Sequence, residues 1–106
     1  MAIVEFTIVP LGTKDTSLSK YVADCHKVLE DVKNIKYQLT PMGTIVEGDL
    51  DVILETIRMM HEVPFDNGAL RVSTGIKIDD RRDKISSMEG KVKSVVEKLW
   101  SAKNFF

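Results

Sequence analysis

The sequence has little of several features that define common classes of protein. It has one cysteine, Cys25, in 106 residues, so an intrachain disulfide is excluded. Fifteen basic residues against sixteen acidic ones leave a net charge of -1, without the basic excess that drives non-specific binding to nucleic acid. Aromatic residues make up 7% of the chain and do not alternate with a basic strip, so stacking on single-stranded nucleic acid is not expected. No apolar run approaches the roughly 20 residues that a membrane span needs. We therefore expect neither nucleic acid nor a membrane as a partner.

The rest of the composition is that of an ordinary globular domain. Hydrophobic residues make up 43% of the chain and charged residues 29%. A chain of this length buries enough surface for one modest core, so we expect a single domain over residues 1–106. The first ten residues are apolar but carry Glu5 and no basic start, which is unlike a secretory leader. With the single cysteine, this favours a cytoplasmic protein.

Four stretches have the alternation or the composition of β-strands. The two longer ones are Ile3 to Val9, which we expect to end at Pro10-Leu11-Gly12, and Leu70 to Ile78. Ile35 to Thr40 and Met42 to Glu47 are short and meet at Pro41, which cannot donate to a strand ladder. The two short strands are therefore expected to join at a turn.

Three further stretches repeat apolar residues at helical spacing. Asp49 is a plausible N-cap of the second, and Pro64 with Asn67 and Gly68 predicts a loop after it. Ser86-x-x-Glu89 predicts a capping box at the start of the third. The first stripe is Leu18, Tyr21, Val22, Cys25, Val28, Leu29 and Val32; the second is Leu50, Ile53, Leu54, Ile57 and Met60; the third is Met88, Val92, Val95, Val96 and Leu99, with Trp100 beside it.

The predicted order of elements is β-α-β-β-α-β-α. Two split βαβ units of this kind form the ferredoxin-like fold, an α+β arrangement with one four-stranded antiparallel sheet and two helices on one face. A further C-terminal helix follows. The other face of the sheet would expose Ile3, Val9 and their neighbours, and small domains often bury such a face by self-association. We therefore expect a homo-oligomer.

Signals for catalysis are weak. Cys25 and His26 are adjacent, but neighbours on a helix point about 100° apart, and Cys25 lies in the apolar stripe, where a buried small hydrophobe is the simpler interpretation. The only histidines, His26 and His61, have no second ligand at metal-binding spacing. No phosphate-binding or hydrolase motif is present. We predict no catalytic residue, no metal and no cofactor.

Two other stretches have open interpretations. Residues 79–84 are six consecutive charges that nearly cancel, which predicts a solvated loop with local salt bridges. Alternatively, Asp79, Asp80 and Arg81 line a cleft at the strand end or pair across a subunit interface, and Arg82 could equally hold an anion. Residues 37–48 combine hydroxyls and the carboxylate of Glu47 with a proline, two glycines and a flexible methionine. Such a set can form a pocket for a small heterocycle, although a plain hairpin connection is the alternative.

The chain resembles the thiamine-binding protein family, which includes small single-domain proteins and tandem-domain ones. The resemblance extends to about Trp100, and several ordered motifs carry it. They are IVPLGT at 8–13, SLSKYVA at 17–23, YQLTPMGT at 37–44, HEVPF at 61–65, GALRV at 68–72 and IDDRRDK at 78–84.

The resemblance implies a ferredoxin-like fold assembled as a homodimer or homotetramer. It also implies non-catalytic binding of thiamine or its hydroxymethylpyrimidine part. From side-chain chemistry, we expect hydroxyl and backbone groups to contact the aminopyrimidine edge and Glu47 to balance a cationic ligand or its amino group. The alternatives are a structural or regulatory interaction protein of unknown partner and, less well supported, an enzyme using Glu47, Asp79 or His61 as a base. The positions that match the family's motif around its pocket are Ser17, Tyr37, Thr40, Met42, Gly43, Thr44 and Glu47.

Overall fold

The protein contains one open four-stranded antiparallel sheet with the strand order β2-β3-β1-β4. The structure is a computed structural model that describes residues 1–12, 19–84 and 87–104, with side chains as far as residue 100. The strands are β1 (Ala2–Leu11), β2 (Lys36–Thr40), β3 (Gly43–Gly48) and β4 (Arg71–Asp80). This is the ferredoxin-like α+β fold, as predicted.

The helices are α1 (Ser19–Glu30), α2 (Leu50–Asp66) and α3 (Met88–Asn104), so the predicted order of elements is confirmed. α1 and α2 supply the side chains that close the core against the sheet. Asp49 is the N-cap of α2, because its carboxylate accepts from the backbone N–H of Val52 at 3.2 Å. The buried apolar core consists of Ala2, Val4, Phe6, Cys25, Leu29, Val46, Ile53, Ile57 and Met60.

Two apolar positions of the stripes predicted for α1 and α2 are exposed to solvent. Val22 of α1 and Leu54 of α2 are exposed, whereas the polar Thr56 is buried. Thr56 satisfies its hydroxyl locally, by donating to the carbonyl of Val52 at 2.7 Å. A threonine can therefore occupy a buried helical position that the apolar pattern leaves out.

The prediction that the first strand ends at Pro10 is wrong. β1 pairs with β4 from Ala2 to Leu11, but it pairs with β3 only as far as Phe6. Beyond Phe6, β1 therefore has a neighbouring strand on one side only. A proline is tolerated in such a segment because an edge position does not need a donor on both sides.

The prediction of a loop beginning at Pro64 is also wrong, because α2 continues through this residue to Asp66. A proline inside a helix leaves the carbonyl four residues earlier, here that of Met60, without its helical donor. The buried thiol of Cys25 lies 3.6 Å from that carbonyl and takes the donor's place. α2 then ends in a Schellman motif, in which Ala69 N–H donates to the Pro64 carbonyl and Gly68, at φ 97°, donates to the Phe65 carbonyl.

α3 begins one residue later than the predicted capping box. Its N-cap is Ser87, whose hydroxyl oxygen accepts from the backbone N–H of Gly90 at 2.9 Å. Ser86 lies outside the described residues. Glu89 forms an ion pair with Lys36 at 3.9 Å.

α3 also projects from the rest of the chain. The radius of gyration is 16.6 Å and the longest dimension is 55 Å, whereas a compact domain of this length has a radius of about 13 Å. Beyond Met88, the apolar stripe of α3 and the neighbouring Trp100 are accordingly 56–67% exposed. Among the described residues, no helix combines the length and apolarity needed to cross a membrane.

Candidate functional site

The hairpin formed by β2 and β3 carries most of the predicted site residues, and it divides them between the two faces of the sheet. Side chains alternate along a strand, so the register assigns each residue to a face. Thr44 pairs with the core residue Phe6 and Tyr37 pairs with Val46, which places both on the face covered by the helices. Glu47 pairs with Ile3 on the opposite face.

Tyr37 and Thr44 meet His26 of α1 on the helix-covered face. The Nε2 atom of His26 lies 3.0 Å from the Thr44 hydroxyl, and the His26 and Tyr37 rings meet edge to face at 5.8 Å. Thr44 is 6% exposed, whereas Tyr37 lies on an edge strand and is exposed. Burial lowers the pKa of His26 below its usual value of 6.5, although the charge of Glu30 opposes the shift. The group therefore presents a neutral imidazole, a hydroxyl and an aromatic ring; the sequence motif did not include His26.

Thr40, Gly43 and Glu47 lie on the opposite face. The Thr40 hydroxyl donates to the Gly43 carbonyl at 2.9 Å, which closes the hairpin. A Cβ atom on Gly43 would lie 3.0 Å from the Phe6 carbonyl oxygen, so the close approach that requires this glycine is to β1 of the same chain.

Glu47 is a buried carboxylate, only 4% exposed. Its Oε2 atom accepts from the backbone N–H of Met88, the first residue of α3, at 3.1 Å. A carboxylate at a helix N-terminus is favoured by the helix dipole. Lys36–Glu89 and Lys91–Asp79 are ion pairs beside this contact, so the first turn of α3 is held on the otherwise open sheet face by polar groups.

The remaining predicted residues do not join either group. Met42 lies in the hairpin turn and is 87% exposed. Ser17 lies outside the described residues. Of the seven predicted residues, the structure thus brings two together on the helix-covered face; three lie on the opposite face, where Glu47 is at the other end of the hairpin from Thr40 and Gly43.

A second histidine–threonine pair lies on the helix-covered face of β4. His61 of α2 has its Nδ1 atom 2.6 Å from the Thr74 hydroxyl, and its ring packs edge to face on Phe65 at 5.5 Å. The motif-based selection did not include Thr74 or Phe65. Thr74 lies in the apolar alternation of its strand, and a polar residue at such a position was the signal that could have identified it.

A cavity of about 540 Å³ lies away from the hairpin, at the end of the sheet where β1 ends and β4 begins. Its volume is within the range of small-molecule sites. Its lining includes Leu11, Gly12, Tyr21, Asn67, Gly68, Ala69, Leu70 and Arg71, and none of the six predicted residues that the structure describes is among them.

The charged run after β4 forms local ion pairs. Arg81 donates to Asp83 and Arg82 to Asp80, each with two nitrogen atoms. The hydrogen bond from Arg82 lowers the pKa of Asp80, and the one from Arg81 lowers the pKa of Asp83. Both guanidinium groups are thus engaged by carboxylates two residues away in sequence. Local salt bridges are confirmed, but Asp79 and Asp80 belong to β4 rather than to a loop.

Cysteine and metal chemistry have little support in this geometry. Cys25 is buried, and burial together with the charge of Asp24 raises the pKa of its thiol to about 11, so the nucleophilic thiolate is scarce. Within residues 1–12, 19–84 and 87–104, no three His, Cys, Asp or Glu side chains gather as metal ligands would.

The amino-acid sequence matches a family of known proteins. Residues 4–96 match the family described as thiamine-binding protein. The UPF0045 protein YqgV of Bacillus subtilis is 50% identical over 102 residues, which cover 93% of this chain and 98% of that protein. A UPF0045 protein of Methanothermobacter thermautotrophicus is 44% identical over 100 residues, covering 93% of this chain and all of that protein.

Solved structures share the fold. The hypothetical protein MJ1052 of Methanocaldococcus jannaschii superposes with a TM-score of 0.81 at 38% identity, covering 91% of this chain and 96% of that one. A Thermotoga maritima protein named for thiamine biosynthesis or salvage superposes with a TM-score of 0.73. Its identity is 22%, with 89% of this chain and 97% of that one covered, so this likeness concerns the fold.

Proposed function

Because the chain belongs to the thiamine-binding protein family, we propose that it binds thiamine or its hydroxymethylpyrimidine part and catalyses no reaction. The observation that carries the proposal is the match to the family over residues 4–96. The buried, weakly acidic thiol of Cys25 supports the non-catalytic part, because it is a poor nucleophile. The composition supports a cytoplasmic location.

The ligand ring is best accommodated by the helix-covered face of the hairpin. Tyr37 offers an exposed aromatic ring there, and Thr44 and His26 offer a hydroxyl and a neutral imidazole 3.0 Å apart. An aminopyrimidine edge has adjacent donors and acceptors, which this pair could match. Glu47 points to the other face and is engaged by Met88, so its part in binding would be through α3 rather than by direct contact on this face.

Titration calorimetry with thiamine and hydroxymethylpyrimidine tests the proposal. We expect saturable binding near one ligand per chain, and Thr44→Val should weaken it about tenfold by removing one hydrogen bond. Glu55→Gln on α2 changes an exposed carboxylate outside the hairpin and should bind both compounds like the natural protein. Binding by Thr44→Val as tight as by the natural protein would contradict the site, and folded protein without any binding would contradict the function.

We also propose that the protein acts as a homo-oligomer. Val92, Val95 and Leu99 of α3 follow one another at spacings of three and four and are all exposed. The adjacent open sheet face carries half-buried Ile3 and Ile45. A stable interface buries about 800 Å² per partner, more than one helical stripe supplies, so a second copy would use both surfaces.

Light scattering coupled to gel filtration measures this assembly. Val95→Glu places a charge in the stripe and should lower the molar mass towards that of the monomer. Ser94→Glu adds the same charge one residue away on the polar side of α3 and should leave the molar mass unchanged. A natural protein that is already a monomer would contradict the homo-oligomer.

The exposed stripe of α3 also favours the alternative, an interaction protein whose partner is another protein. In the homo-oligomer a second copy covers the stripe and the protein binds a ligand, whereas in the interaction protein another protein covers the stripe and no ligand is needed. A monomeric protein that binds neither thiamine nor hydroxymethylpyrimidine would favour the alternative.

A further inference from the structure

Arg71 is the one arginine of the four in the sequence without an ion-pair partner among the described residues. Arg58 pairs with Glu62 at 2.8 Å, and Arg81 and Arg82 pair with Asp83 and Asp80. An exposed guanidinium with no carboxylate beside it keeps its planar set of donors available. Arg71 lines the cavity at the end of the sheet.

The rest of the cavity is suited to a small ring compound. Leu11 and Leu70 are exposed apolar side chains, and Leu70, at 95% exposure, lies at the rim. Tyr21 adds an aromatic ring that is half-buried. Small-molecule sites are mostly apolar with a few polar groups that fix orientation, and this lining follows that composition.

The C-terminus of α2 borders the cavity, and its negative potential is too weak to exclude an anion. A helix C-terminus favours cations because its last carbonyls lack partners. Here the Pro64 and Phe65 carbonyls accept from Ala69 and Gly68, and the Asn67 side-chain amide donates to the Val63 carbonyl at 2.9 Å. These bonds reduce the negative potential that the helix end would otherwise direct at Arg71.

We propose that this cavity is a second binding site, for a phosphate monoester of a small ring compound, with Arg71 holding the phosphate and Tyr21 contacting the ring. A guanidinium fork matches two phosphate oxygens at once. Among thiamine compounds the class contains the phosphate esters and excludes free thiamine. The site therefore does not depend on the ligand proposed for the hairpin.

The NMR signals of glycine amides show where a ligand binds, because glycines lie in both the cavity and the hairpin. Gly12 and Gly68 line the cavity, while Gly43 and Gly48 lie in β3 and report on the hairpin. Phenyl phosphate is the probe in a ¹⁵N–¹H correlation titration, with phenol and inorganic phosphate supplying the ring and the anion separately. We expect phenyl phosphate to shift Gly12 and Gly68 saturably, with Gly43 and Gly48 unmoved, and to bind more tightly than either part.

Variants test the role of Arg71. Arg71→Ala should weaken phenyl phosphate at least tenfold and leave phenol unchanged. Arg58→Ala removes the same charge from an exposed position outside the cavity lining and should bind phenyl phosphate like the natural protein. Unmoved Gly12 and Gly68 amides, or equal affinity in Arg71→Ala, would overturn the proposal. Thiamine that shifts only the hairpin glycines would still support the function proposed above.

Discussion

The carbonyl of Met60 offers a quantitative test of how the core tolerates a proline inside α2. Pro64 has no N–H to donate to it, and the thiol of Cys25 lies 3.6 Å away instead. Both Met60 and Cys25 are buried. A buried carbonyl without a partner costs about 1–3 kcal/mol, and because a thiol is a weak donor we take its contribution as about 1 kcal/mol.

A double-mutant cycle isolates this contribution. Cys25→Ala alone should cost about 2 kcal/mol of unfolding free energy, about half from the lost sulfur packing and half from the lost bond. Pro64→Ala restores a backbone N–H opposite the Met60 carbonyl. In that background Cys25→Ala should cost only the packing part, about 1 kcal/mol. The expected coupling of about 1 kcal/mol exceeds the 0.3–0.5 kcal/mol scatter of independent sites.

Urea unfolding of the four proteins, at one fixed protein concentration, measures the cycle. The additive control combines Cys25→Ala with Leu54→Ala, because Leu54 is an exposed residue on α2, the helix that contains Pro64. An equal cost of Cys25→Ala with and without Pro64 would refute the reasoning. The raised pKa of about 11 gives an independent check, since the native thiol should react with a disulfide reagent near pH 8 about 100-fold more slowly than the unfolded one.

Three further predictions concern the hairpin and its neighbours. Burial lowers the pKa of His26 below 6.5, so the folded state binds its proton less tightly than the unfolded state; stability should fall as pH drops below about 6.5, and His26→Gln should flatten the dependence of the urea midpoint on pH. Gly43→Ala, with its Cβ 3.0 Å from the Phe6 carbonyl, should cost about 1–3 kcal/mol, more than Gly75→Ala, where the nearest atom is 3.4 Å away. Glu47→Gln weakens the acceptor at the start of α3, so hydrogen exchange of α3 amides should speed up about tenfold.

Most of the fold follows from periodicity, because the strands and helices repeat apolar residues with clear periods of two and 3.6. The exceptions are the ends of β1 and α2, where two of the three prolines lie within the element instead of ending it. Pro10 and Pro64 are local signals for the end of an element, but each is accommodated by something distant in sequence. For Pro10 it is the early end of the pairing with β3, and for Pro64 it is the thiol of Cys25. No local pattern contains either fact.

In the candidate site, too, the local sequence predicts the face on which a residue lies but not the partners that it contacts. Thr44 and Glu47 are three residues apart in one strand, so the period of two alone assigns them to opposite faces. Their partners could not be derived in this way. His26 reaches Thr44 from α1, and the Met88 N–H reaches Glu47 from a helix 41 residues later. The residues around the cavity come from three separate segments, and no spacing along the chain connects these segments.

That Thr44 is already bonded to His26 does not prevent it from reading a ligand. A hydroxyl has one donor and two acceptor positions, so a single bond leaves part of its capacity unused. The bond also fixes the hydroxyl in place before a ligand arrives, which reduces the entropy lost on binding. Glu47 is different, because its carboxylate accepts from the Met88 N–H and holds the start of α3. In the proposed binding mode, one face of the hairpin would therefore present groups to a ligand, while the other anchors the helix that exposes the apolar stripe.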